Sequence, residues 1–196
     1  KVDLKSDLVA EFPELQGIMG GYFAAAQGFE KEVCQSISEH YLPSGLDSRV
    51  PKNLYSITLS LSDKLDTLVG FFGLGLIPTG SRDPYALRRY TIALVRLIVE
   101  NKIKIKLRSI INYSLTLYKE QGYEFDITIV IKELNNFILD RLKNYSKDKD
   151  IRLDIIESSI LSNDIDELYN GYKKAEILNR NIKKELGKDV VEIYKR

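Results

Sequence analysis

Residues 54–89 read LYSITLSLSDKLDTLVGFFGLGLIPTGSRDPYALRR. In the first half, Leu54, Ile57, Leu61, Leu65, Leu68, Val69 and Phe72 recur every three or four residues. That period is helical and not the alternation of a strand. The apolar residues fall on more than one side, which predicts a helix at the centre of a core. The second half carries glycines, a Thr-Gly-Ser turn and Pro84. Gly75 and Gly80 have the spacing of a phosphate-binding P-loop, but Ser81 stands where that motif has Lys. The left flank is also helical where the motif needs a strand. The dinucleotide fingerprint fails too, because Gly73-Leu74-Gly75 is followed by Leu76, Ile77 and Pro78. The stretch is expected to be a tight turn between two helices, with its glycines allowing the change of direction. Asp83 is the expected N-cap of the next helix and Pro84 its first residue.

Helical spacing extends outward from this stretch on both sides. Leu15, Ile18, Met19, Tyr22, Phe23 and Ala26 predict one apolar face after Pro13, closed at Gly28. Val33, Ile37 and Tyr41 predict a second helix across EKEVCQSISEHY. The segment 42–53, LPSGLDSRVPKN, reads as a loop. Beyond the turn, Leu87, Leu94, Val95 and Ile98 predict a helix to about Asn101, and another is expected over 103–121, closed by Gly122. The run ITIVI at 127–131 is β-branched and suits a short strand, yet Leu134, Ile138 and Leu142 continue the helical period, and length favours a helix. The segment from Asp166 to Leu186 reads as a polar amphipathic helix. No repeat or low-complexity segment interrupts the pattern. The expected fold class is all-α, with a seam near residues 76–84.

With 196 residues, the chain is long enough for a substantial core. A formal net charge of +1 argues against generic nucleic-acid binding and leaves room for a local basic patch. No run of about 18 apolar residues predicts a membrane span, and the charged N-terminal residues do not form a signal peptide. The single cysteine, Cys34, allows no internal disulfide, and a cytoplasmic location is expected. The sequence opens on Lys1 and not Met, and is expected to be part of a longer protein.

Candidates for chemistry are few. His40 is the only histidine, and a lone His without a metal cluster is expected to be structural. Asp63 and Asp66, three apart on an apolar helix, share a face and are candidates for metal ligation, or for pairing with Lys64 and solvent. Arg82, Arg88 and Arg89 cluster at a helix start, where guanidinium forks and free N–H groups favour phosphate oxygens. Thr79 and Ser81 add hydroxyl donors. The alternative is that Arg88 or Arg89 pairs with Asp83 or Asp63 and pins the turn. Lys102, Lys104, Lys106 and Arg108 form a second basic run, expected to be a solvated face.

In an all-α setting, the order Asp3, His40, Asp63 resembles the HD superfamily of metal-dependent phosphohydrolases. Asp63-Lys64-Leu65 matches that superfamily's last element, whereas Val2-Asp3 stands where a His-Asp doublet belongs. An aliphatic side chain has no lone pair for a metal, so the resemblance implies a degenerate HD site without hydrolase activity. The longer stretches KVDLKSDLVAEFPELQGIMGGYFA, EHYLP and SDKLDTLVGFFGLGLIPTGSRDPYALRR resemble, in order, the β subunit of bacterial glycyl-tRNA synthetase. The likeness is strongest over residues 1–100, and NNFILDRL resembles that family's later helical body.

This second resemblance implies a degenerate HD-like domain over residues 1–78 and part of a helical body over 79–196. It implies a heterotetramer of two α and two β subunits that joins glycine to tRNA(Gly), with ATP and magnesium used at the α subunit and no cofactor held by this segment. The segment is then a non-catalytic contributor to tRNA positioning, through Arg82, Arg88 and Arg89. Asp3, His40 and Asp63 become the remnant site, where His40 and Asp63 are expected to pair and no metal is expected. An active phosphohydrolase and a purely architectural module are the alternatives.

Overall fold

The computed structural model describes residues 1–160 and 165–182. The described residues form an all-α protein. Its helices are α1 (Asp7–Glu11), α2 (Ile18–Ala26), α3 (Lys31–Glu39), α4 (Leu54–Gly73), α5 (Leu87–Glu100), α6 (Leu107–Glu120), α7 (Ile127–Asp148), α8 (Leu153–Ser159) and α9 (Leu168–Ile182). Short 3-10 turns cover Val2–Lys5, Pro13–Leu15 and Ile165–Glu167.

Helix α4 is central, as its all-round apolar pattern predicts. It packs against α3, α5, α6 and α7. Its Leu65, Leu68, Val69 and Phe72 join Leu94, Val95 and Ile98 of α5, Ile111 and Leu115 of α6, and Leu134, Ile138 and Leu142 of α7 in one buried cluster. The cluster continues into α8 and α9 through Ile156, Leu168 and Ala175. The ITIVI run is the first turn of α7, capped by the Asp126 side chain accepting from the Ile129 amide at 3.0 Å. The cap and the long apolar stripe override the strand preference of β-branched residues.

Three sequence expectations shift. Helix α5 begins at Leu87 and not at Pro84, because Ala86 lies in the left-handed region at φ 56° and breaks the helix there. Asp83 still caps it from outside, its carboxylate accepting from the amides of Leu87 at 2.8 Å and Arg88 at 3.0 Å. Helix α6 begins at Leu107; residues 103–106 are non-helical, with Ile103 and Ile105 half-buried and Lys102, Lys104 and Lys106 exposed. The expected apolar face of α2 is also not its packed face. Ile18, Tyr22 and Phe23 are exposed, and the helix meets α3 through Gly21 and Ala24. At Gly21 a Cβ would collide with Ser38, so the close approach of α2 and α3 requires glycine. The last four residues of the predicted C-terminal helix, 183–186, lie outside the described residues.

The loop 42–53 is strapped down. Buried Arg96 on α5 donates to Gly45 O at 2.5 Å and pairs with Glu100 at 2.7 Å. Asn101 donates to Pro51 O at 3.2 Å, and Lys52 returns a bond to Asn101 at 3.1 Å. These ties hold the loop against α5, beside the cleft described next.

Candidate functional site

The glycine-rich turn leaves α4, a helix, and closes on itself through Arg82 N donating to Thr79 O at 2.9 Å. Gly75 and Gly80 have φ of 69° and 52°, which glycine adopts without strain. Arg88 donates to Gly80 O at 2.6 Å and thereby ties the turn to α5. It pins the turn as one of the two sequence readings holds, but through a backbone carbonyl and not through a carboxylate. Arg82 and Arg89 are exposed, and among the described residues their guanidinium groups donate to no side chain or carbonyl.

Asp3 is buried at 3% exposure. Its carboxylate accepts from the Gly17 amide at 2.7 Å and from the Tyr41 hydroxyl at 3.3 Å. Burial pushes its pKa up, hydrogen bonds led by the Gly17 amide act against that, and the pKa lies below the ordinary carboxylate value. Asp3 therefore fixes the turn before α2 to the chain leaving α3. Val2, beside it, is 82% exposed.

His40 ends α3, buried, with Nδ1 2.6 Å from Ile37 O. A carbonyl only accepts, so Nδ1 carries the proton and Nε2 presents a lone pair. Burial lowers the His40 pKa, which keeps the ring neutral. Its ring sits against Tyr41, with centroids 3.8 Å apart. Asp63 pairs through Oδ1 with Lys1 Nζ at 2.5 Å. The expected His40–Asp63 hydrogen bond is not formed: His40 Nε2 and Asp63 Oδ2 are both buried without a partner. Each has already engaged its other polar atom elsewhere. Asp66, by contrast, is exposed. Two orphaned acceptors suit a cation, but among the described residues no three His, Cys, Asp or Glu side chains come together to hold a metal. The residues do not fit a catalytic metal centre.

Lys64, expected with solvent to satisfy Asp63 and Asp66, is instead turned into the core. It is 2% exposed, and its ammonium donates to His40 O and Leu42 O at 3.2 Å each and to Ser60 Oγ at 2.9 Å. Burial lowers its pKa to about 8, opposed by the Asp63 charge. The legible signal was its register: Ser60, Lys64 and Leu68 follow one another at i, i+4 on the core side of α4.

Asp63 and Lys64 line a cleft of about 570 Å³, whose wall does not include Asp3, His40, Arg82 or Arg88. Arg49, Asp63, Lys64, Arg89, Tyr41 and Tyr90 contribute to its wall. Arg49 is held by buried Glu39 at 2.8 Å. Burial raises the Glu39 pKa, and hydrogen bonds from its neighbours, Arg49 among them, outweigh this and keep it ionised. Tyr41 is pushed up to about 12, chiefly by burial, and stays a neutral hydrogen-bond donor.

Residues 1–161 match the family described as glycyl-tRNA synthetase beta subunit. The whole chain aligns with the glycine–tRNA ligase beta subunits of Syntrophomonas wolfei, at 38% identity over 196 residues, and of Rickettsia canadensis, at 39% over 197. The corresponding protein of Nitratidesulfovibrio vulgaris is 43% identical over 145 residues, 74% of this chain. The chain spans 28% of the first two relatives and 21% of the third. No helix among the described residues is long and apolar enough to cross a membrane.

Proposed function

Because the chain belongs to the glycyl-tRNA synthetase beta subunit family, we propose that it serves a glycine–tRNA ligase as a non-catalytic, tRNA-positioning segment. The observation that carries this reading is the family match over residues 1–161. In it, an α subunit supplies the ATP- and magnesium-dependent chemistry in a heterotetramer, in the cytoplasm, and tRNA(Gly) is the shared ligand. Residues 1–78 make up a degenerate HD-like unit and 79–196 a helical body, the two sharing one buried cluster. Asp3, His40 and Asp63 are the remnant of an HD site. Asp3 now serves as a backbone clamp, and among the described residues no three His, Cys, Asp or Glu side chains come together to hold a metal, which argues against the phosphohydrolase alternative.

Arg82 and Arg89 are the side chains we assign to RNA phosphates, since both guanidinium groups are exposed and have no acceptor among the described residues. Arg88 acts beside them by holding the turn. The test is tRNA(Gly) binding by the full-length chain at low salt, with Arg82→Ala and Arg89→Ala variants. Weakening in both, with a shallower salt dependence, supports the assignment. Unchanged binding by both removes it and leaves the family membership standing.

A specific observation also favours an architectural role. Helix α2 exposes Ile18, Tyr22 and Phe23 and packs chiefly on α3. An apolar face of this kind marks an interface within the assembly. A Tyr22→Ser/Phe23→Ser variant that folds but no longer co-purifies with the α subunit would support that role.

A further inference from the structure

We propose that the cleft between the turn after α3 and the start of α5 binds a nucleoside monophosphate unit. It shares Arg89 with the tRNA reading and specifies the chemical unit that the cleft takes, whether or not that unit belongs to an RNA. At about 570 Å³ the cleft has the size of a small-molecule site. Its wall combines three chemistries that one ligand class satisfies together. Arg89 brings a guanidinium with no acceptor among the described residues, and Arg49 has one nitrogen on Glu39 with its side chain otherwise largely exposed. Guanidinium forks of this kind suit a phosphate monoester.

Tyr90 and Tyr41 add half-buried aromatic surface, on which a base can stack. Pro43 and Ile18 extend that apolar wall.

The third element is an acceptor. Asp63 contributes to the wall, and its Oδ2 is buried without a partner. A carboxylate oxygen repels a bare phosphate but accepts from a ribose hydroxyl or an exocyclic amine. Inorganic phosphate satisfies the arginines alone, and an uncharged nucleoside satisfies the tyrosines and Asp63 alone. A nucleoside monophosphate meets all three, whether as a free nucleotide or as one unstacked nucleotide of an RNA.

The test is equilibrium binding of the four nucleoside 5′-monophosphates to the full-length chain, without an α subunit. Inorganic phosphate and the free nucleosides serve as controls. The proposal expects saturable binding below ~1 mM for at least one nucleotide, weakened about tenfold by Arg89→Ala. Arg49→Ala gives a second reading if the first variant does not fold, and thermal melting verifies the fold of each. Displacement of the bound nucleotide by tRNA identifies an RNA nucleotide as the source; persistence alongside tRNA identifies a free nucleotide. Absence of saturable binding by all four, undiminished binding in a folded Arg89→Ala protein, or equally tight binding of inorganic phosphate overturns the proposal. Direct retention of tRNA on filters is read separately, so failure here leaves the tRNA assignment untouched.

Discussion

The ammonium of Lys64 lies 3.2 Å from both the His40 and the Leu42 carbonyl oxygens, so one buried side chain of α4 holds the chain leaving α3. Burial lowers its pKa to about 8, against 10.5 in the unfolded chain. Between those values the unfolded chain binds more protons, so the stability owed to this group rises with pH. Urea unfolding at pH 7.5 and 9.5 is expected to show the wild type gaining on Lys64→Met by on the order of 1 kcal/mol over that interval. A difference that stays constant, or narrows, contradicts the assigned burial.

Asp3 shows the opposite dependence. Its folded pKa lies below 3.8, so its contribution is complete above that value and is lost as pH falls through the folded one. Asp3→Ala leaves the Gly17 amide and Tyr41 hydroxyl unpaired and is expected to cost about 2–3 kcal/mol near neutral pH. In acid titrations followed by circular dichroism, the gap between wild type and variant should close below pH 3.8.

Gly73 sits where a Cβ would collide with the ring of Phe125. Gly73→Ala is therefore expected to destabilise by about 1–3 kcal/mol despite alanine's better helix propensity. Combining it with Phe125→Leu should recover part of the loss relative to the sum of the two single changes. Strict additivity in thermal melts would show that the two residues do not press on one another.

Arg88 and Arg89 are adjacent in sequence but differ in what they do. Arg88→Ala removes the bond to Gly80 O and should speed amide exchange at residues 79–82, with a stability loss of about 1 kcal/mol. Arg89→Ala should leave exchange in that turn unchanged. Equal effects in both variants would contradict the division of roles.

Much of the fold was legible because it rests on apolar period. The stripe on α4, and the continuation of the period through ITIVI into α7, follow from spacing alone. What was not legible depends on contacts between distant residues. The packed face of α2 is set by Ser38 and Cys34, which leave no room for a Cβ at position 21, and the larger apolar residues Ile18, Tyr22 and Phe23 turn outward. The start of α5 is set by a single left-handed residue that no propensity announces. At the candidate site, the order of Asp3, His40 and Asp63 along the chain led to the expectation that His40 and Asp63 pair, yet they are not hydrogen-bonded, because each binds a different neighbour. Lys64 read as a partner for Asp63 and Asp66, although its register placed it inward.

Ala86 leaves a mark on how this sequence can drift. At φ 56° its backbone occupies a region that costs an L-residue roughly 1–2 kcal/mol and that β-branched side chains rarely enter. Random change at this codon is filtered unevenly: glycine relieves the strain, asparagine tolerates it, and valine, isoleucine or threonine would move the onset of α5 and with it Arg89 at the cleft wall. A library saturating position 86 and selected only for growth should therefore be depleted of those three residues, on backbone grounds alone.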